Sequence, residues 1–394
     1  MYELVETSIK HLDRWISQNG WAGYDPYDLR GLSLFIKNNP SFFERVLIRI
    51  TERIEPLFPY LLRKLFRVKK EVNPKAMGLF ADAYLTLYRL TKNCSYMLKA
   101  KKTIKWLDKN FSTGYVGKCW GYPFDWQSRI FIPRGTPSGV VSAIVGNAYW
   151  NFYRLTRDSK YLLTCKSICD FFINDLNIDK ISPDMICFSY TPLDNFHVHN
   201  ANLFVAEFLI KVGKEISNDY FVNLGLKAVN YTLSEQNPDG SICYWGKDQD
   251  ENCRLDHYHS GFEIRALYSI WKNINDNRIF NAVKRYYSFY LKNFFENKSI
   301  PKLTPKNKYP INIHACAEAL LCNATLIYDF PEGKEYLSNA TRWVIKNMQD
   351  KTGYFYYMLR KLRGIEIKIK IPYVRWGQAW MLKALSEVFK LKCK

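Results

Sequence analysis

No stretch of the 394 residues is both long and apolar enough to cross a bilayer. The longest run without a charge, Gly135 to Tyr153, is broken by three Gly, a Pro, two Ser and two Asn, and reads as a buried helix with its lead-in. The amino-terminal segment lacks the basic start and apolar run of an export signal and carries Glu3 and Glu6 instead. Ten cysteines show no metal-type spacing, so reduced thiols and a cytoplasmic location are expected. Zinc-finger, RNP, Gly-x-x-Gly and basic-zipper patterns are all missing, which removes nucleic acid from the expected partners. Acid is scarce as well: 37 Asp and Glu stand against 57 Lys and Arg, a net charge of +20. That excess reads either as composition drift or as a surface for an anionic partner, and the charge alone decides neither. With 47% hydrophobic and 16% aromatic residues, the chain has ample material for one large core and is neither disordered nor fibrous.

What is present is a repeat. Ala83-Tyr84-Leu85-Thr86-Leu87-Tyr88-Arg89-Leu90-Thr91 returns 65 residues later as Ala148-Tyr149-Trp150-Asn151-Phe152-Tyr153-Arg154-Leu155-Thr156. Related apolar helices recur, and anchors at Ala76, Gly139, Asn200, Ser260, His314 and Gly377 are spaced by 63, 61, 60, 54 and 63 residues. A helix with no clear polar face is a buried one. Between these helices lie amphipathic ones, such as 100–110, 226–235, 281–295 and 337–348. Inner helices alternating with outer helices six times predict an all-α (α/α)6 toroid over residues 1–394, because no hairpin can bury its own apolar face alone.

Two segments fall outside the period. Residues 42–70 form an insertion ending in the basic amphipathic stretch Leu61 to Lys70. Its first reading is an outer helix of the first hairpin with a solvated face, and its second is attachment to an anionic membrane or a biosynthesis complex. Gly364 to Ile371 alternates apolar and polar residues as a half-buried strand does, and predicts a small β-hairpin with Tyr354 to Tyr357.

In a toroid, the segments leading into the inner helices gather at one mouth. Five of the six histidines fall in three consecutive lead-ins: His197 and His199, His257 and His259, and His314. The lead-ins also carry Trp120, Asp125, Trp126, Arg129, Asp194, Asn200, Asp256, Tyr258, Tyr373, Arg375, Trp376 and Gln378, with Glu263 one turn into its helix. Aromatic faces stack on sugar rings, while carboxylate, amide and guanidinium groups bind their hydroxyls and acids. Six helix N-termini add a positive field at the mouth. With the basic balance, this favours an acidic oligosaccharide or polysaccharide. No cofactor or metal is expected, because the paired histidines stand at i, i+2, which diverges on a helix.

The segments Trp21-Ala22-Gly23-Tyr24-Asp25-Pro26-Tyr27-Asp28, Asp256-His257-Tyr258-His259-Ser260-Gly261-Phe262-Glu263 and Arg375-Trp376-Gly377-Gln378-Ala379-Trp380 resemble the six-hairpin glycosidase-like superfamily, including proteins of surface-polysaccharide biosynthesis clusters. The resemblance covers nearly the whole chain and implies a carbohydrate substrate more securely than a reaction.

Three mechanisms stand open. Proton abstraction at C5 of a uronate draws on His257, His259, His314, Tyr258 and Arg375. Hydrolysis by two carboxylates draws on Asp125, Asp194, Asp256 and Glu263. Epimerisation, as in the two-histidine sugar epimerases that the resemblance brings in, draws on His259 and His314. The candidate catalytic set is His257, His259, His314, Tyr258, Asp125 and Asp256, with the other residues named above as substrate-binding. The rival from another class is a non-catalytic glycan-binding scaffold of a membrane polysaccharide assembly.

Overall fold

The computed structural model of the protein describes residues 1–32, 42–55 and 57–393, with the backbone alone at 44, 45, 52, 53 and 393; Pro56, inside the expected insertion, lies outside the described residues. In chain order the helices are α1 (Tyr2–Asn19), α2 (Phe42–Ile54), α3 (Pro59–Leu65), α4 (Pro74–Thr91), α5 (Cys94–Lys109), α6 (Gly139–Thr156), α7 (Ser159–Asn174), α8 (His199–Glu215), α9 (Asp219–Ser234), α10 (His257–Ile274), α11 (Asn277–Asn293), α12 (Ile313–Leu326), α13 (Gly333–Met348) and α14 (Trp380–Lys390). Helices α4, α6, α8, α10, α12 and α14 pack side by side in that order, and α14 returns to α4. They form a closed inner ring, and the expected (α/α)6 toroid is what the chain adopts.

Five inner helices are backed by the outer helix that follows them, α5, α7, α9, α11 and α13. The sixth outer helix is α1, which packs on α14 and α13 from the opposite end of the sequence. Its buried stripe of Val5, Ile9, Leu12 and Ile16 follows helical spacing, so one face covers the last inner helix. The outer position expected for residues 61–70 is therefore held by the first helix instead.

The sequence repeat has a local cause. Both copies end at a left-handed residue, Lys92 (φ 57°) and Arg157 (φ 59°), which stops the inner helix. An Asx cap follows at once: Asn93 Oδ1 accepts the Ser95 N–H, and Asp158 Oδ1 accepts the Lys160 N–H. The tight turn sends the chain straight back as the outer helix. Close inner packing depends on small residues; a Cβ on Gly146 would sit 2.5 Å from the Phe208 ring of α8.

The C-terminal hairpin is present, with a different partner strand. Residues 365–369 pair antiparallel with 358–362, Met358 opposite Ile369, and Ile311–Asn312 adds on the other side. Tyr354 to Tyr357 precede the paired strand rather than forming it. A second correction concerns sulfur: Cys243 and Cys253 are joined in a disulfide, Cα–Cα 4.9 Å, closing the loop between α9 and α10. The expectation of ten reduced thiols fails there, because the loop folds its two cysteines together.

Helices α2 and α3 stand outside the ring, and Arg63 of α3 is wholly buried instead of solvated. Its guanidinium pairs with Asp28 (2.9 Å) and Glu55 (2.9 Å), donates to the Asp25 carbonyl (2.7 Å), and stacks over the Tyr373 ring. Losing one partner of a buried ion pair strands the other charge. Arg63→Met should therefore lower unfolding stability by ~3–5 kcal/mol. Lys64→Ala, at the exposed neighbouring position, should stay within about 0.5 kcal/mol of the parent in the same urea titrations.

Candidate functional site

Three inner helices begin with the same cap, and each cap places a basic side chain at the mouth. Asn73 Oδ1 accepts the Lys75 N–H, Asp256 Oδ1 accepts the His259 N–H, and Asn312 Oδ1 accepts the His314 N–H. These are the second or third residues of α4, α10 and α12, where the helix N-terminus presents its positive field.

His314 is buried at the centre. Its ring stacks on Tyr258 (4.6 Å, 23°), meets Trp376 edge-on (4.3 Å), and lies 5.0 Å from Trp380. Neither ring nitrogen has a hydrogen-bond partner among the described residues. Burial, with the nearby Lys75 and Arg375, holds this imidazole well below the usual histidine range. The His259 ring also lies against Tyr258, 4.3 Å away, with its Nδ1 2.6 Å from Asp256 Oδ2. One carboxylate thus caps the helix and orients the imidazole. Burial pushes the Tyr258 phenol well up, so it keeps its proton and acts as a wall and donor rather than a base.

Arg375 closes one side. It forms a two-point ion pair with Asp25 (2.5 and 2.6 Å) and faces the rings of Tyr122, Trp376 and Tyr27. Lys75 forms the floor. Its Nζ is 5.6 Å from the Trp380 ring centre and 5.9 Å from that of Phe262, on the helix directly across the ring from its own. A side chain that reaches the opposite inner helix lies on the toroid axis.

Sequence reasoning missed Lys75, Asp25 and the wall residues Tyr27 and Tyr244, whose ring is 4.3 Å from His259. Lys75 directly precedes the anchor Ala76; a lysine at the head of an otherwise apolar inner helix was the available signal. Tyr27 stacks on Trp126 (5.6 Å) and abuts Trp376, so the segment after α1 lies across the mouth. A side cavity of about 300 Å³ reaches Asp25, Asn73 and Arg375 from the surface, with Asp125 and Arg134 in its outer wall. Asp125 accepts the Arg134 N–H and stands at this approach rather than among the imidazoles. Arg129 is exposed, clamped over Trp245 at 3.7 Å.

The other expected residues are placed elsewhere. His257 turns outward onto Tyr290, Phe294 and Phe295, with Nδ1 2.8 Å from the Lys302 carbonyl. His199 lies between α8 and α9, its Nδ1 3.3 Å from Thr232 Oγ1, and His197 bridges Asp179 (2.8 Å) and Tyr231 (3.0 Å). Asp194 accepts the N–H groups of Tyr190, Thr191 and Phe196 and shapes a turn. Trp120 donates to the Leu107 carbonyl in the core, and Gln378 exchanges two hydrogen bonds with the Phe355 backbone. Glu263 points at the Tyr286 hydroxyl (2.6 Å) on α11, and Tyr373 donates to Glu55. Asn200 is buried with its Oδ1 unpaired. Among the described residues, no group of three or more His, Cys, Asp or Glu is placed to hold a metal ion.

No protein-family model and no curated protein sequence matches the chain. Solved structures do. A cellobiose 2-epimerase from Bacillus thermoamylovorans superposes with a TM-score of 0.61 at 13% identity, covering 81% of this chain and 88% of that one. A D-mannose isomerase gives 0.62 at 14%, covering 82% and 88%. An unsaturated glucuronyl hydrolase specific for heparin gives 0.60 at 12%, covering 100% and 98%. The chain therefore has the six-hairpin (α/α)6 toroid fold of these proteins, and at such identities the likeness concerns the fold alone.

Three buried histidines carry a pH signature. Burial holds His257 down to about 3, against 6.5 for a free imidazole, and lowers His199 and His314 as well. Below about pH 6.5 the unfolded chain takes up protons that the folded chain refuses, so stability falls as pH drops. Each such histidine contributes a slope of up to ~1.4 kcal/mol per pH unit. Urea unfolding at about pH 7 and about pH 5 should show the loss, and His257→Phe, which cannot protonate, should lessen it.

Proposed function

We propose that the chain is a carbohydrate-active enzyme that moves a proton at a sugar carbon next to a carbonyl or carboxyl group, as an epimerase, isomerase or lyase does. The observation that carries this reading is the pair of imidazoles, His259 and His314, on adjacent inner helices and each against the ring of Tyr258. Burial favours neutral His314, which suits it to accept a proton from carbon. Asp256 on Nδ1 fixes the ring of His259, which leaves Nε2 to exchange a proton with the substrate. Tyr258 and Arg375 can bind the oxygen on which charge develops. The aromatic walls suit a pyranose face. Structures of the same fold are described as epimerase, isomerase, glucuronyl hydrolase and polysaccharide lyase, all sugar-directed names.

Hydrolysis by two free carboxylates has less support. Asp256 is bound to His259, Asp194 and Glu263 are tied into the scaffold, Asp125 stands at the side cavity, and Asp25 is taken up by Arg375. Purified protein incubated with reducing sugars and uronates in deuterated water should place deuterium in the sugar. Deuterium without cleavage identifies epimerase or isomerase chemistry, and a new unsaturated-uronate absorbance identifies a lyase. His259→Ala and His314→Ala should each reduce turnover about 10²–10⁴-fold while substrate affinity changes little. Absence of both signals with every sugar overturns the reading.

The protein also carries features of attachment to a cytoplasmic, anionic membrane face, the setting of polysaccharide assembly. Phe42, Phe43, Leu61 and Leu65 are 68%, 83%, 60% and 69% exposed on α2 and α3, beside exposed Lys64, Arg67, Lys69 and Lys70. Apolar side chains rimmed by positive charge suit an acidic lipid surface. No helix of the described residues is long and apolar enough to cross a membrane, so contact would be peripheral. Co-sedimentation with phosphatidylglycerol vesicles should exceed that with phosphatidylcholine vesicles, and Phe43→Asp with Leu65→Asp should abolish the difference.

A further inference from the structure

Lys75 is an anomaly for a core. It is 4% exposed, and the contacts its amine makes among the described residues are with the ring faces of Phe262 and Trp380, not with an acid. An unpaired cation in such a place is costly, and a methionine of similar volume would pack against Phe262 and Trp380 without that cost. His314 repeats the pattern, buried with both nitrogens unpaired. The other charges around them are matched: Arg375 with Asp25, His259 with Asp256, and Arg265 with Glu318. Tyr258, the remaining titratable group facing His314, stays neutral. Two basic groups thus share one space on the axis with no acid of their own.

We infer that Lys75 and His314 form the receptor for a sugar carboxylate, and that the Lys75 amine takes up a proton from solvent as the carboxylate enters. This rests on the sugar-directed reading above and names its substrate class. Both residues occupy the second position of an inner helix, where the positive end of the helix dipole favours an anion and opposes a bound cation. Rings beneath and beside them keep water out, which strengthens an ion pair once it forms. The held-down basicity of both groups is the expected state of such a receptor when empty. A carboxylate reverses the balance: the lysine amine regains its proton from solvent, and the charges cancel. One positive charge on Lys75 beside the neutral His314 ring matches a monoanion, whereas a phosphate dianion would call for more donors than face this space.

Calorimetric titration with glucuronate and with glucose, in two buffers of different ionisation enthalpy at mildly alkaline pH, tests the inference. Glucuronate should bind at least about tenfold tighter than glucose, with about one proton taken up. Lys75→Met should remove the proton uptake and the preference for acid. NMR of the protein with ¹³C-methylated lysines gives the same answer without substitution: the Lys75 resonance should titrate upward in pH when glucuronate is added. Equal binding of the two sugars, tighter binding of inorganic phosphate than of glucuronate, or an unmoved Lys75 titration would each overturn the receptor. If no sugar binds but acetate at high concentration is taken up with a proton, the receptor stands and the sugar-directed reading falls. If acetate and both sugars all fail to bind, both fall.

Discussion

An apolar helix with no polar face must be covered on every side, and six such helices cover one another only by closing into a ring. The rest of the structure follows from that constraint. The last inner helix, α14, has no outer helix after it in sequence, so α1 packs over it from the other end of the chain. The segment after α1 must then cross the mouth to reach α4, and it is pinned there by two buried ion pairs, Asp25 with Arg375 and Asp28 with Arg63.

The ring also explains why chemistry gathers where it does. Inner helices all run in one sense, so their N-termini meet at one end, and caps at Asn73, Asp256 and Asn312 hold them. That end is positive before any side chain is counted. Placing lysine and histidine there, away from water, lowers their basicity further, and so yields neutral bases and an affinity for anions together. The aromatic walls contribute twice: they exclude water and offer faces for a sugar ring. Substrate selection and proton transfer thus draw on the same low-dielectric space.

The histidine cluster shows how far spacing can lead. Five lead-in histidines were legible as a group, but only His259 and His314 reach the central space. His199 and His257 are the first residues of their helices, while His259 is the third and His314 the second. About 100° of rotation per residue separates those positions, so a one- or two-residue offset turns a side chain from the outer helix to the axis. The i, i+2 divergence on a helix was readable, but which member faced inward needed the true helix start. Lys75 has the same ambiguity, since only the helix start at Pro74 places its side chain on the axis.

The sequence by itself determined the toroid, through apolar helices recurring about every sixty residues, and the basic mouth, through the residues at the heads of those helices. Both are local properties: hydrophobic periodicity and capping are written within a dozen residues. Tertiary structure alone decided that α1 is the sixth outer helix, that Arg63 is a buried anchor, that Cys243 meets Cys253, and that Lys75 lies on the axis beside His314. The disulfide depends on how one loop folds; the others depend on groups distant in sequence, some more than 200 residues apart, and no local pattern encodes which partner a side chain finds across a closed ring.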